Sequence, residues 1–145
     1  MSTTFATTIT TTNTGAPART TRARAMWAAG LLSGVVAAVA TTVVAAVARA
    51  ADVPLAIDGE QIPLLGFGQL TMVGAVIGTV LAVSFAKWAR HPRRMFVVTT
   101  VVLTVLSLVP DVVADATTGS KFVLMLTHLV AAAIVVPTIA RRLAA

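Results

Sequence analysis

No cysteine occurs anywhere in the 145 residues. That excludes a disulfide, a thiolate nucleophile, a CxxC redox pair and a thiolate-ligated metal. Charge is scarce as well: 11% of the residues are charged, against about one quarter in an average soluble domain, so most of the surface must face something other than water. The only histidines are His91 and His128. A haem bundle with paired axial histidines is unsupported, because His91 sits in a basic loop. Asp111, Asp115 and His128 lack HxxxH-type spacing as metal ligands. No Ser/His/Asp set, Gly-rich phosphate loop, HExxH or EF-hand pattern is present. Neither an enzyme activity nor a cofactor nor a metal is expected.

What the chain does have is long apolar blocks, which carry most of its 57% hydrophobic content. About 20 apolar residues cross a hydrocarbon core about 30 Å thick as a helix, and four blocks qualify: residues 27–48, 66–86, 95–114 and 122–140. The links at 87–94 and 115–121 are short, which forces antiparallel neighbours. The expected fold is all-α, a four-helix transmembrane bundle in up-down order over residues 26–145. Residues 1–25 are Thr-rich and too poor in large apolar side chains to offset the entropy of ordering, so a disordered cytoplasmic tail is expected. Ala48-Arg49-Ala50 after the first block resembles a signal-peptide cleavage site. The 22-residue apolar run exceeds a signal core of roughly 7 to 15, which favours a retained span.

The net charge of +6 reads as topology rather than as a nucleic-acid surface, since Lys and Arg fall in short clusters between the blocks. Arg19, Arg22, Arg24, Lys87, Arg90, Arg93, Arg94, Arg141 and Arg142 share one side. Only Arg49 and Lys121 fall on the other. By the positive-inside rule both termini are expected in the cytoplasm, in a multi-pass protein of the cell membrane. Trp27 and Trp88 sit at the inner boundaries this orientation implies. The one long outer loop, 49–65, carries Asp58-Gly59 between apolar-rich arms. That signals a short β-hairpin, against an irregular loop pinned by Pro54 and Pro63.

Small residues let membrane helices approach closely, and each of the first two spans contains a GxxxG: Gly30 and Gly34, then Gly74 and Gly78. Both are expected to pack against helices of the same chain. In the third span Thr100, Thr104, Ser107, Asp111 and Asp115 recur every three or four residues, along one helical face that should turn away from lipid. Ser and Thr there can bond back to their own helix; Asp111 cannot. A rise of about 1.5 Å per residue puts Asp111 roughly 24 Å beyond Met95 and His128 roughly 9 Å below Phe122, which is nearly the same depth. A carboxylate alone in the bilayer is costly, whereas an imidazolium beside it keeps both charged. Asp111 and His128 are therefore expected to pair, as an interhelical clasp or as a proton or cation site.

Asp58-Gly59-Glu60-Gln61-Ile62-Pro63, Arg90-His91-Pro92-Arg93-Arg94-Met95-Phe96, Leu106-Ser107-Leu108-Val109-Pro110-Asp111 and Thr127-His128-Leu129-Val130-Ala131-Ala132 resemble an uncharacterised actinobacterial family of small four-span membrane proteins. The resemblance covers residues 27–142. It implies the fold and the membrane location and no catalytic residue. A vitamin K epoxide reductase-like enzyme would need a CxxC, which the chain lacks, and a small multidrug-resistance transporter a glutamate midway along its first span, which here is uncharged. The expected role is a non-enzymatic structural or accessory component of the cell envelope. Its partners are the lipid bilayer and a second membrane protein or another copy of the chain, not nucleic acid. A proton-coupled transporter or channel subunit using Asp111 and His128 is the alternative, and a membrane-embedded enzyme comes third.

Overall fold

The computed structural model describes residues 16–144 as four helices and one hairpin: α1 Ala16–Ala50, β1 Ala56–Ile57, β2 Glu60–Gln61, α2 Leu64–Trp88, α3 Pro92–Val113 and α4 Thr118–Ala144. Every helix contains a stretch long and apolar enough to cross a membrane. The helices overrun the apolar blocks most at the start of α1, which begins at Ala16, within the expected tail. Alanine and arginine are good helix formers. The rest of the expected tail, residues 1–15, lies outside the described residues.

The ends of the elements follow from a few side chains. At the end of α1, Val53 N–H donates to Ala48 O and Asp52 N–H to Arg49 O, both at 3.1 Å. These are the two bonds of a Schellman closure, with Asp52 in the left-handed conformation at φ 59°. Asp58 and Gly59, at φ 51° and 80°, form the two-residue turn that primed hairpins require, and Ala56 pairs with Gln61 and Ile57 with Glu60. Arg49 donates to Ile62 O at 2.6 Å, Asp58 N–H to Asp115 O at 3.0 Å and Ser120 Oγ to Pro54 O. The hairpin is thereby fixed across the end of the bundle. Pro92 opens α3 at its first turn, where no N–H is needed, and Thr117 Oγ1 accepts the Ser120 N–H at 3.2 Å as the N-cap of α4.

α1 packs along α2 and α4, while α3 rests mainly on α4 and more lightly on α2. Much of the interior between the end clusters is small and hydroxyl residues: Ala37, Thr41, Ala45, Thr79 and Ala82 are fully or almost fully buried. The large aliphatics Leu32, Val39, Val47, Val105 and Val109 are exposed. This inversion suits a lipid surround, where branched chains gain nothing from burial and close backbone approach holds the helices. Gly30 lies against the Thr79 side chain, and a Cβ at Gly34 would stand 2.8 Å from Ala75 Cβ. Farther along, Thr41 and Thr71 share a hydrogen bond of 2.9 Å.

The GxxxG of α1 therefore lies against α2, whereas that of α2 is not turned to α1. Nothing among the described residues lies within 4 Å of a Cβ built at Gly74 or Gly78. The face α2 offers to α1 is Gly68, Met72, Ala75 and Thr79, one position round the helix from the glycine pair. Two buried clusters close the ends of the bundle. One surrounds Phe96, Ile139 and Leu143 at the arginine-rich end. The other joins Leu55 beside the hairpin to Phe67 and Leu124.

Candidate functional site

Between the two clusters, where α3 stands off from α2, lies a cavity of about 630 Å³. Gly74 and Gly78 of α2 supply part of its wall because they have no side chains to fill it. Thr100, Thr104, Ser107 and Asp111 descend its α3 side, Thr127 and His128 stand on α4, and Ile57 and Ile62 reach over it from the hairpin region. Phe96, with no exposed surface, closes the arginine-rich end. Leu70, Ile77 and Leu103 line the cavity yet remain largely exposed, so it opens sideways between α2 and α3. The volume falls within the several hundred Å³ typical of small-molecule sites.

The hydroxyls of the wall are occupied. Thr100 donates to Phe96 O at 2.8 Å, Thr104 to Thr100 O at 2.8 Å, Ser107 to Thr104 O at 2.7 Å and Thr127 to Leu124 O at 2.7 Å. Each satisfies its hydrogen on its own helix, the usual habit of hydroxyls in apolar helices. Asp111 is buried, although α3 is otherwise largely exposed. His128 Nδ1 lies 3.0 Å from Asp111 Oδ2 and 3.1 Å from Leu124 O. Nδ1 thus faces two acceptors, Asp111 Oδ2 and Leu124 O, and its N–H is shared between them. Asp111 Oδ2 is in ion-pair contact with the ring, and no other group among the described residues donates to it.

The structure thus brings Asp111 and His128 together and puts Thr100, Thr104 and Ser107 on the same wall. Asp115 is separate: α3 ends at Val113, and Asp115 is exposed in the following turn, where its backbone oxygen receives Asp58 N–H. The four-residue spacing continues past the helix that gave it meaning. Among the described residues no three His, Asp or Glu side chains converge as metal ligands. Sequence reasoning missed Thr127 and Phe96. Thr127 was within reach, because Leu124, Thr127, Ala131 and Val135 mark one face of α4 by the spacing that picked out the α3 stripe. Nothing in the sequence singles out Phe96 as the residue that closes the cavity.

Fold and site together define a bundle of four membrane-span-length helices with a lateral, mostly apolar cavity and a carboxylate–imidazole pair at its hairpin end. The chain belongs to the family described as a family of unknown function (DUF6069), which it matches over residues 21–145. No curated protein and no solved structure matches it.

Proposed function

We propose that the chain is a non-enzymatic accessory protein of the cell envelope, seated in the plasma membrane with both termini in the cytoplasm. Its cavity holds an amphiphilic molecule within the bilayer. The observation that carries this reading is the cavity itself, about 630 Å³ with a mostly apolar wall, the Asp111–His128 pair at one end and a side opening between α2 and α3. An amphiphile matches that division of surface. The orientation rests on the arginine-rich end, which gathers nine of the eleven Lys and Arg residues.

Extraction of the purified full chain and identification of the released lipids by mass spectrometry tests this. The wild-type protein should retain an amphiphile that Gly78→Leu, whose side chain would project into the cavity, releases. Equal retention by both proteins would take the cavity out of the function. Other partners, a second membrane protein or another copy of the chain, are sought by pull-down from the membrane.

A second reading, a small proton-coupled transporter or channel subunit, is favoured by the 3.0 Å approach of Asp111 and His128. It requires a wet path to the pair from both sides, and the cluster around Phe96 stands in the way. In liposomes under a pH gradient, a proton flux abolished by Asp111→Asn supports transport. No flux above empty liposomes ends that reading.

A further inference from the structure

Resting on the reading of the cavity as an amphiphile site, we infer that its occupant carries a cationic, hydrogen-bond-donating head group, an amine, placed against Asp111. The polar groups of the wall are all acceptors. Thr100, Thr104, Ser107 and Thr127 have given their hydrogens to backbone carbonyls of their own helices, so only their lone pairs remain for the cavity. His128 Nδ1 faces Leu124 O and Asp111 Oδ2, both acceptors, so the hydrogen sits on Nδ1, and with one ring proton Nε2 is an acceptor. Asp111 Oδ2 is buried and lines the cavity, and beyond the imidazole Nδ1, which also faces Leu124 O, nothing among the described residues donates to it. A buried carboxylate oxygen short of donors is costly, and a ligand that brings one lowers that cost.

The surroundings select the same sign of charge. All five acidic residues of the chain belong to the hairpin end, and Asp58, Glu60 and Asp115 are exposed there. The two cations of that end are engaged on carbonyl oxygens, Arg49 on Ile62 O at 2.6 Å and Lys121 on Val112 O at 2.8 Å. An anionic head would meet five carboxylates against two cations at that end. A ketone or quinone head, which only accepts, would find no donor. An ammonium on an apolar chain meets the under-satisfied oxygen with a charge-assisted bond and leaves its chain to the wall formed by α2 and α3.

The test uses the full chain in phosphatidylcholine nanodiscs and three probes of equal chain length: hexadecylammonium, hexadecan-1-ol and hexadecanoate. Binding is read as the increment over the cavity-filled Gly78→Leu variant, which corrects for partition into the lipid. Hexadecylammonium should bind at least about tenfold more tightly than hexadecanoate, with the alcohol between them, as expected for one charge-assisted hydrogen bond. Asp111→Asn should lower the amine's affinity by about tenfold and leave the alcohol nearly unchanged. Hexadecanoate binding as tightly as the amine overturns the inference while the amphiphile reading stands, and it does so on wild-type protein even if Asp111→Asn fails to fold. An amine affinity unaltered by Asp111→Asn overturns it likewise. If none of the probes binds above the Gly78→Leu variant, the amphiphile reading itself falls.

Discussion

Asp52 holds the left-handed position that closes α1, where most side chains are disfavoured and glycine is not. Asp52→Gly should therefore stabilise the protein by about 1 kcal/mol, and Asp52→Val destabilise it by a similar amount, in thermal unfolding of the detergent-solubilised chain. The Asp111–His128 pair has a different asymmetry. The Asp111 side chain is 10% exposed and that of His128 40%, so the carboxylate is the charge that suffers when left alone. His128→Gln should cost on the order of 2 kcal/mol and Asp111→Asn less. The double variant should resemble Asp111→Asn alone. Additivity within about 0.3 kcal/mol would show that the two residues do not interact. Their meeting was legible from helix rise and chain direction alone, because two antiparallel helices on a short link have their depths fixed by counting. The competition of Leu124 O for the same imidazole proton was not, since it depends on where the ring turns on α4.

α2 has small residues on two adjoining stripes, Gly74 and Gly78 on one and Ala75, Thr79 and Ala82 on the other, and spacing alone cannot rank them. The absence of a side chain serves equally for a tight seam and for a void. In the fold α1 takes the alanine-threonine stripe and the glycines are left facing the cavity. Opposite outcomes follow for two glycines that look alike in sequence. Gly34→Leu should destabilise by about 1–3 kcal/mol, because the seam cannot admit it. Gly78→Ala should stabilise by about 0.5–1 kcal/mol, since it stiffens a helix without meeting a neighbour. Matching losses of melting temperature in both variants would mean that α2 turns its glycines to α1 after all. The hairpin, by contrast, was signalled by Asp58-Gly59, a pair suited to two successive positive φ values. Asp115 was misjudged because periodicity does not say where a helix stops.

The distribution of charge along the bundle is lopsided, with acids at the hairpin end and most of the arginines at the other. Reporter fusions at the N- and C-termini should both read cytoplasmic. A periplasmic signal at either would overturn the proposed orientation. The four spans were legible because apolar length is a one-dimensional property. The cavity was not, because it arises where α3 stands off from α2, and no linear pattern records the distance between two helices. The sideways opening between Leu70, Ile77 and Leu103 also decides how occupancy must be measured. Ile57 and Ile62 line its hairpin end, so on the proposed amphiphile reading a ligand exchanges with the two-dimensional pool of lipid around the bundle rather than with the buffer. Diluting a proteoliposome suspension with buffer should leave the site filled; fusing it with empty vesicles, which lowers the ligand's mole fraction in the membrane, should empty it.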